Sequence, residues 1–347
     1  MDGYAIRFEA NNPTRSFQVI NEIKAGDNIE PKLQPGEAVR IFTGAPVPST
    51  ANAVIMQEET TRTEQSLSIS REVIKEGLNI RPQGEQIMQG QVALKAGTVI
   101  NGAAIGFLQT LGLQNIWVYS RPSVSVIVTG QELATPGEAL VYGQIYESNS
   151  AMLDAMVKST GIEKVEHGIV QDSLESTIEM IEAHIEQSDM LILSGGISVG
   201  DYDFVGKALM HLGCQQVFYK IKQKPGKPLF FGMLRNKPVF ALPGNPASAW
   251  VCYLMYVQPA LRLMKGVKDD SMLKLSVPLT AARSKKGNRA EFLKAHLNNG
   301  VVSVLGSQSS AMLNSASEAN ALVYLPPDKS EFEEGDFVET YMIPTLY

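Results

Sequence analysis

The chain has 347 residues, 44% hydrophobic and 19% charged, the balance of a soluble globular protein with room for two or more domains. Its net charge of −6 argues against a general nucleic-acid role, since such proteins present basic faces. No run of about 18 apolar residues and no signal-peptide pattern occur, so no membrane span and a cytoplasmic location are expected.

Four scattered histidines (His167, His184, His211, His296) lack metal-ligand spacing, which argues against a structural zinc site. Cys214 and Cys252 sit in apolar helical contexts and read as buried thiols of a reducing compartment rather than a disulfide.

Residues 1–85 carry short β-branched runs between Gly and Pro breakers, as in VRIFTGAPVP, AVIMQEET and LSISREVI, and predict a small β domain. NIRPQGEQI (79–87) leads out of it. From Gly97 the pattern predicts a short helix, then a strand ending near Ser120. An α/β succession follows. SVSVIVTG (123–130) reads as a buried strand, and 148–161 as a helix with Ser148 as N-cap and Gly161 just past its end. KVEHGIV (164–170) is a strand, and 172–187 is an amphipathic helix with Leu174, Ile178, Ile181 and Ile185 on one face. MLIL (190–193) is a strand, 204–213 a helix, PVFAL (238–242) a strand, and Ala247 to Leu261 a helix. Alternating β and α predicts a parallel-rich sheet with helices on both faces. Beyond about Lys268 a regular strand series predicts a small barrel or sandwich.

Three glycine-rich turns follow apolar runs in SDMLILSGGISVGDYDF, KIKQKPGKPLFFG and VFALPGNPASAW. Open α/β sheets use such turns to place backbone N–H groups at the carboxyl edge, where anions bind. Ser194, Gly195 and Gly196 suit a phosphate contact, or simply a tight turn. Lys220, Lys224 and Lys227 suit a pyrophosphate as point charges; Lys222 alternates with Lys220 and Lys224 on the same face, and one of these reads as plain solvation. Pro243, Asn245, Pro246 and Ser248 open a helix, with Asn245 as candidate cap and the helix end as candidate anion site. Glu132 lies just past a strand's carboxyl end, where such sheets bind ligands. Asp201 and Asp203 follow the SGG turn. A carboxylate there suits a Mg²⁺ ion held against a phosphate, and Asp203 equally suits a helix cap. Asp172 alone reads as an N-cap.

MDGYA, RIFTGAPVP, AVIMQEET, NIRPQGE, TGQEL, GQIYESN, SGGISVGDYDF, KPGKPLFFG and LPGNPASA stand in this order along the chain. In this the chain resembles the molybdopterin molybdenumtransferases, the MoeA and gephyrin E-domain family, over essentially its whole length. The resemblance implies a multidomain α/β fold. Its parts are a β-rich subdomain (1–85), a remnant of an elongated dimerisation subdomain (86–118), a MogA-like three-layer α/β domain (119–268) and a C-terminal β-barrel (269–347). It implies hydrolysis of adenylylated molybdopterin and insertion of molybdate, with release of AMP and help from Mg²⁺. Asp203, Asp172 and Glu132 are then the metal-holding and catalytic acids, with Asp2 as a further catalytic acid. Thr43, Arg81 and Ser307 join the ligand-binding set. An arginine at position 81 suits oxyanion capture. A homodimer with its cleft between subunits, and a transient contact with a MogA-type adenylyltransferase, are implied as partners.

The chain also departs from the family. Its start corresponds to the second half of the usual SAMDGYA motif, and some 50 family residues of the dimerisation part are absent. Gln86 replaces an acid, and Lys294 replaces an arginine, which removes a bidentate fork. These departures make a catalytically weakened paralogue, acting as a molybdopterin-binding or scaffold protein, one alternative; a MogA-type adenylyltransferase, which shares the α/β domain, is the other.

Overall fold

The computed structural model describes residues 1–9, 14–64, 66–170, 173–197, 204–268 and 272–344. The chain forms two compact units, Met1–Lys95 and Ala96–Tyr347.

In the first unit, strands β1 (Gly3–Ile6), β2 (Ser16–Ile23), β3 (Glu37–Ile41), β4 (Ala53–Met56), β5 (Thr60–Arg62) and β6 (Leu67–Ile69) form one sheet in the order β4-β1-β3-β2-β6-β5. Period-2 alternation puts Tyr4, Ile6, Ala38 and Ile55 into one core with Phe17 and Leu67, and Ala5, Ile41 and Val54 into another on the opposite face.

The second unit opens with α1 (Gly102–Thr110), capped by Asn101, whose side chain accepts from the Ala104 N–H. The strand expected before Ser120 does not form: residues 113–120 run as chain without ladder pairing. Its β-type apolar side chains, Ile116, Trp117 and Val118, are exposed and have no strand to pair with among the described residues.

The α/β part then runs β7 (Val124–Thr129), the two-residue strands β8 (Leu133–Ala134) and β9 (Ile145–Tyr146), α2 (Asn149–Ser159), β10 (Val165–Val170), α3 (Leu174–Gln187) and β11 (Met190–Ser194). It continues with α4 (Phe204–His211), β12 (Gln215–Tyr219), β13 (Gln223–Lys224), β14 (Phe230–Leu234) and β15 (Lys237–Leu242). The main sheet has the order β10-β7-β11-β15-β14-β12. Its first four strands are parallel, as the alternation predicted, while β14 and β12 add an antiparallel edge. That edge was hidden in the sequence because KIKQKPGKPLFFG reads as a turn.

The sheet is covered on both faces. Met190, Ile192, Phe240 and Leu242 face one core, and Leu191, Leu193, Val239 and Ala241 face the other. Helix α2 packs on the first face through Leu153 and Val157, and α3 on the second through Ile181 and Ile185. Two caps differ from expectation. Ser148 occupies the N-cap of α2 without a side-chain bond, and Glu147 accepts the Ser150 N–H instead, at 2.9 Å. Ser173 caps α3 through the Ser176 N–H, and the expected cap, Asp172, lies outside the described residues.

The helix expected from Ala247 to Leu261 is three segments: α5 (Pro246–Cys252), a π-helical turn (Tyr253–Val257) and α6 (Gln258–Met264). Pro259 lacks an N–H and would crowd the carbonyl four residues back, so the ladder widens just before it. Cys252 is buried in α5. Cys214 is also buried, but in the turn before β12 rather than in a helix. Burial pushes the Cys214 thiol up to about 11 and the Cys252 thiol further, so both stay protonated near neutrality.

The C-terminal part holds β16 (Lys274–Pro278), β17 (Arg283–Ser284), β18 (Ala290–Asn298), β19 (Val301–Val304), α7 (Asn314–Glu318), β20 (Ala321–Leu325), β21 (Glu331–Phe332) and β22 (Phe337–Met342). The order β18-β20-β22-β16, with β19 beside β18 and a bridge from Leu279 to Val302, closes a small barrel. None of the described helices is long and apolar enough to cross a membrane.

Candidate functional site

A cavity of about 670 Å³ lies at the carboxyl ends of β7, β11 and β15, where open parallel sheets bind ligands. Glu132, Ser194, Gly195, Gly196, Pro228, Pro243, Asn245 and Pro246 line it, so the structure gathers the expected carboxylate and parts of all three glycine turns.

The SGG turn is tight because there is no room for side chains. At Gly195 φ is +94°, and an added Cβ would sit 2.3 Å from the Thr129 carbonyl oxygen. At Gly196 a Cβ would stand 2.8 Å from a Val205 methyl. The Gly195 N–H donates to Leu242 O at 3.2 Å, which commits that donor to the neighbouring strand end.

The end of α5 differs from the expected anion site. Pro246 has no N–H, and the Ala247 N–H donates to Ser310 O at 3.0 Å. The Ser248 and Ala249 N–H groups both donate to Asn245 O. The amides that an anion would need are thus taken, and Ser310, from the loop after β19, supplies the cap. Asn245 makes no side-chain cap; its Nδ2 donates to Ser310 Oγ at 3.4 Å. Pro243, Asn245 and Pro246 contribute to the cavity as wall.

That loop is itself held by a buried lysine. Lys294 on β18 is 3% exposed, and its Nζ donates to Ser309 O at 3.2 Å and Met312 O at 3.0 Å. Desolvation holds its ammonium below the ordinary lysine range. Gln308 clasps the Lys294 backbone in both directions at 2.9 Å. Ala311 from this loop lines the cavity. Ser307 lies in the same loop, with its Oγ donating to Met312 Sδ at 2.8 Å.

The lysine turn has other partners. Lys224 Nζ pairs with Glu291 Oε1 on β18 at 3.2 Å, and Lys220 Nζ stands 4.8 Å from the centre of the Tyr219 ring. Lys227 is exposed, and Pro228 carries the turn to the cavity. In the first unit, Asp2 Oδ1 accepts the Thr43 N–H at 2.9 Å and its Oγ1–H at 3.0 Å. These bonds hold the Asp2 carboxyl below its usual range. Arg81 is exposed and pairs with Glu85 at 2.9 Å. Asp172, Asp201 and Asp203 lie outside the described residues. Among the described residues no three carboxylate, histidine or cysteine side chains gather as a metal site.

Residues without an assigned role in the sequence also shape the cavity. Tyr146, Glu147 and Asn149 line it, and all three belong to the IYESN segment. That segment was recognised as a motif, but nothing in its composition distinguishes a wall from a linker.

Comparison with known proteins gives three matches in order along the chain. Residues 1–112 match the MoeA N-terminal region (domain I and II), 125–263 a probable molybdopterin binding domain, and 276–343 the MoeA C-terminal region (domain IV). A molybdopterin molybdenumtransferase of Staphylococcus epidermidis is 33% identical over 350 residues, covering 98% of this chain and 83% of the relative. One from Nostoc sp. is 36% identical over 359 residues, covering 99% and 82%. The crystal structure of a molybdopterin biosynthesis MoeA protein from Pyrococcus horikoshii superposes with a TM-score of 0.82 at 28% identity, covering 99% of this chain and 86% of that one.

Proposed function

This chain belongs to the molybdopterin molybdenumtransferase family, and from that premise we propose that it inserts molybdate into adenylylated molybdopterin and releases AMP, in molybdenum cofactor biosynthesis. The observation that carries the reading is the cavity at the carboxyl edge of the parallel sheet, walled by the SGG, YESN and PGNP loops. Its size suits a nucleotide-linked pterin. The MoeA-type regions on either side of the middle domain set the chain apart from a single-domain MogA-type adenylyltransferase.

In this reading the SGG and PGNP loops shape the phosphate end of the cavity. Lys220, Lys224 and Lys227 raise the positive potential at its mouth. Glu132 acts with Asp172 and Asp203 as the acid set that would hold Mg²⁺, an ion that takes oxygen ligands. When bound, Mg²⁺ would stabilise charge on the phosphate oxygens. Water attacks the phosphoanhydride, and AMP departs. Asp2, Thr43 and Arg81 serve the molybdate side, and Ser307 joins the ligand set. The β-rich subdomain spans 1–85, the dimerisation remnant 86–118, the MogA-like domain 119–268 and the barrel 269–347. The protein works in the cytoplasm, takes its substrate from a MogA-type enzyme by transient contact, and acts as a homodimer. Exposed Ile116, Trp117 and Val118 support the dimer, since an apolar, unpaired stretch of this kind is a surface for a second copy.

Purified protein supplied with adenylylated molybdopterin, molybdate and Mg²⁺ should release AMP and yield molybdenum cofactor. Folded protein that binds the substrate without AMP release would overturn the enzyme reading in favour of a scaffold. Light scattering should report a dimer that Trp117→Glu dissociates.

A further inference from the structure

We propose that Asn149 is a positioning residue for this reaction, acting as a hydrogen-bond donor that locks the SGG and PGNP loops into one frame. The inference rests on the cavity being the substrate site. Asn149 is the first residue of α2 and is 8% exposed. Its Nδ2 donates to Ser194 Oγ at 2.9 Å and to Gly244 O at 2.8 Å. A carbonyl oxygen only accepts, so the contact with Gly244 fixes which end of the amide faces the loops. Ser194 Oγ, having accepted from Asn149, is left to donate to Pro243 O at 3.4 Å. One side chain therefore ties the start of α2 to the end of β11, where the SGG turn begins, and to the loop after β15. The two loops run close together, since even a Cβ added to Gly244 would stand 3.5 Å from Gly195 Cα.

The other end of the amide makes this a costly choice. Asn149 Oδ1 is buried without a partner among the described residues. An unpaired buried acceptor is unfavourable, and an apolar side chain of the same shape would avoid it. What an apolar side chain cannot supply is the pair of donors to Ser194 and Gly244. The donor function is thus what the amide provides.

Asn149→Asp keeps the shape and converts the donor end to an acceptor. As a carboxylate it would face the Gly244 carbonyl; protonated, it regains a donor. Burial and that carbonyl both raise its pKa, so the donor returns as pH falls. Glu132, Tyr146 and Glu147 are the titratable groups of the described lining, with Glu147 bonded to Ser150. They are common to parent and variant and cancel in a ratio of rates.

AMP release from adenylylated molybdopterin by Asn149→Asp should fall roughly 10- to 100-fold at pH 8, and the ratio to the parent should close toward pH 5.5. Asn149→Ala should show a comparable loss with a ratio that does not change with pH. A flat ratio for Asn149→Asp, parental rates for Asn149→Ala, or losses that merely follow loss of folded protein would each overturn the inference. Amide hydrogen exchange at Gly195 and Gly244 reads the lock without substrate. Faster exchange at both in folded Asn149→Ala supports it, and unchanged exchange overturns it whatever the protein catalyses. Absence of AMP release by the parent would instead count against the functional reading.

Discussion

Two walls of the cavity are held by different means. The wall from the parallel sheet is backbone against backbone: Gly195 lies where a Cβ would meet the Thr129 carbonyl at 2.3 Å, and its N–H is bonded to Leu242 O. The wall from the barrel is a loop held through side chains, with the Lys294 ammonium and the Gln308 amide as struts. The first tolerates no added atom. The second tolerates changes of shape but not the loss of a donor. The same cavity should therefore fail in two distinguishable ways.

The largest effect is expected at the first wall. Gly195→Ala must place a Cβ against Thr129 O at a backbone φ of +94°. Strain and overlap together should lower stability by about 3 kcal/mol or more, measured by urea denaturation. A loss below about 1 kcal/mol would show that this wall yields and that the contrast is false.

The second wall should lose less and show a pH signature. Lys294→Met preserves length but removes the ammonium donor from Met312 O and from Ser309 O, the latter keeping only the long Met312 N–H contact at 3.3 Å, at about 1–3 kcal/mol. Because burial lowers the Lys294 pKa from 10.5, the unfolded chain binds more protons than the folded one between the folded value and 10.5. The parent should therefore gain stability relative to the variant as pH rises through that window. Thermal melts of the two proteins across the alkaline range, compared as a difference, cancel the titration of the shared cysteines. A difference independent of pH would mean that Lys294 has the same pKa in the folded and unfolded chains, so that burial does not disfavour its ammonium.

A smaller effect is expected at Lys224. Its side chain is 54% exposed while that of Glu291 is 9% exposed, so solvent screens one partner of the pair. Lys224→Ala should cost about 1 kcal/mol through the carboxylate left behind, and Glu291→Gln in the same protein should recover most of it. Weaker binding of adenylylated molybdopterin with no change in stability would instead place the ammonium on the ligand rather than on the barrel.

The contrast between the walls also explains what was legible in the sequence. The SGG and PGNP turns stood out because glycine and proline mark backbone geometry locally, and strand periodicity placed them at one sheet edge. The nine motifs in order brought out the family and the multidomain fold. The roles of Lys294, Gln308 and Asn149 were not legible, because their partners, backbone groups of other segments and the Ser194 hydroxyl, are brought close only by the tertiary fold. The unpaired chain before Ser120 misled for a related reason. IWVY has strand composition, but a strand also needs a neighbour, and composition carries no record of one. The cap of α3 slipped by one residue because Asp172 and Ser173 are both good caps, and local pattern does not decide between them.

The smallest expected effect tests the junction of the two walls. Ser310 meets the start of α5 twice: its carbonyl accepts from the Ala247 N–H at 3.0 Å, and its hydroxyl accepts from Asn245 Nδ2 at 3.4 Å. The first bond caps a helix whose next amides turn inward to Asn245 O, and it belongs to the backbone. The second is long, exposed and between side chains, where water competes on nearly equal terms. Ser310→Ala removes the second and keeps the first. Stability should change by less than about 0.5 kcal/mol, and AMP release should stay within roughly twofold of the parent. Gln308→Ala should be more damaging than Ser310→Ala, because it frees the loop that presents the Ser310 carbonyl and removes both the acceptor of the Lys294 N–H and the side-chain donor to Leu305 O. Urea denaturation of the two variants side by side decides the matter. If Ser310→Ala is the more damaging of the two, the walls are joined through the serine hydroxyl, and the backbone cap is incidental.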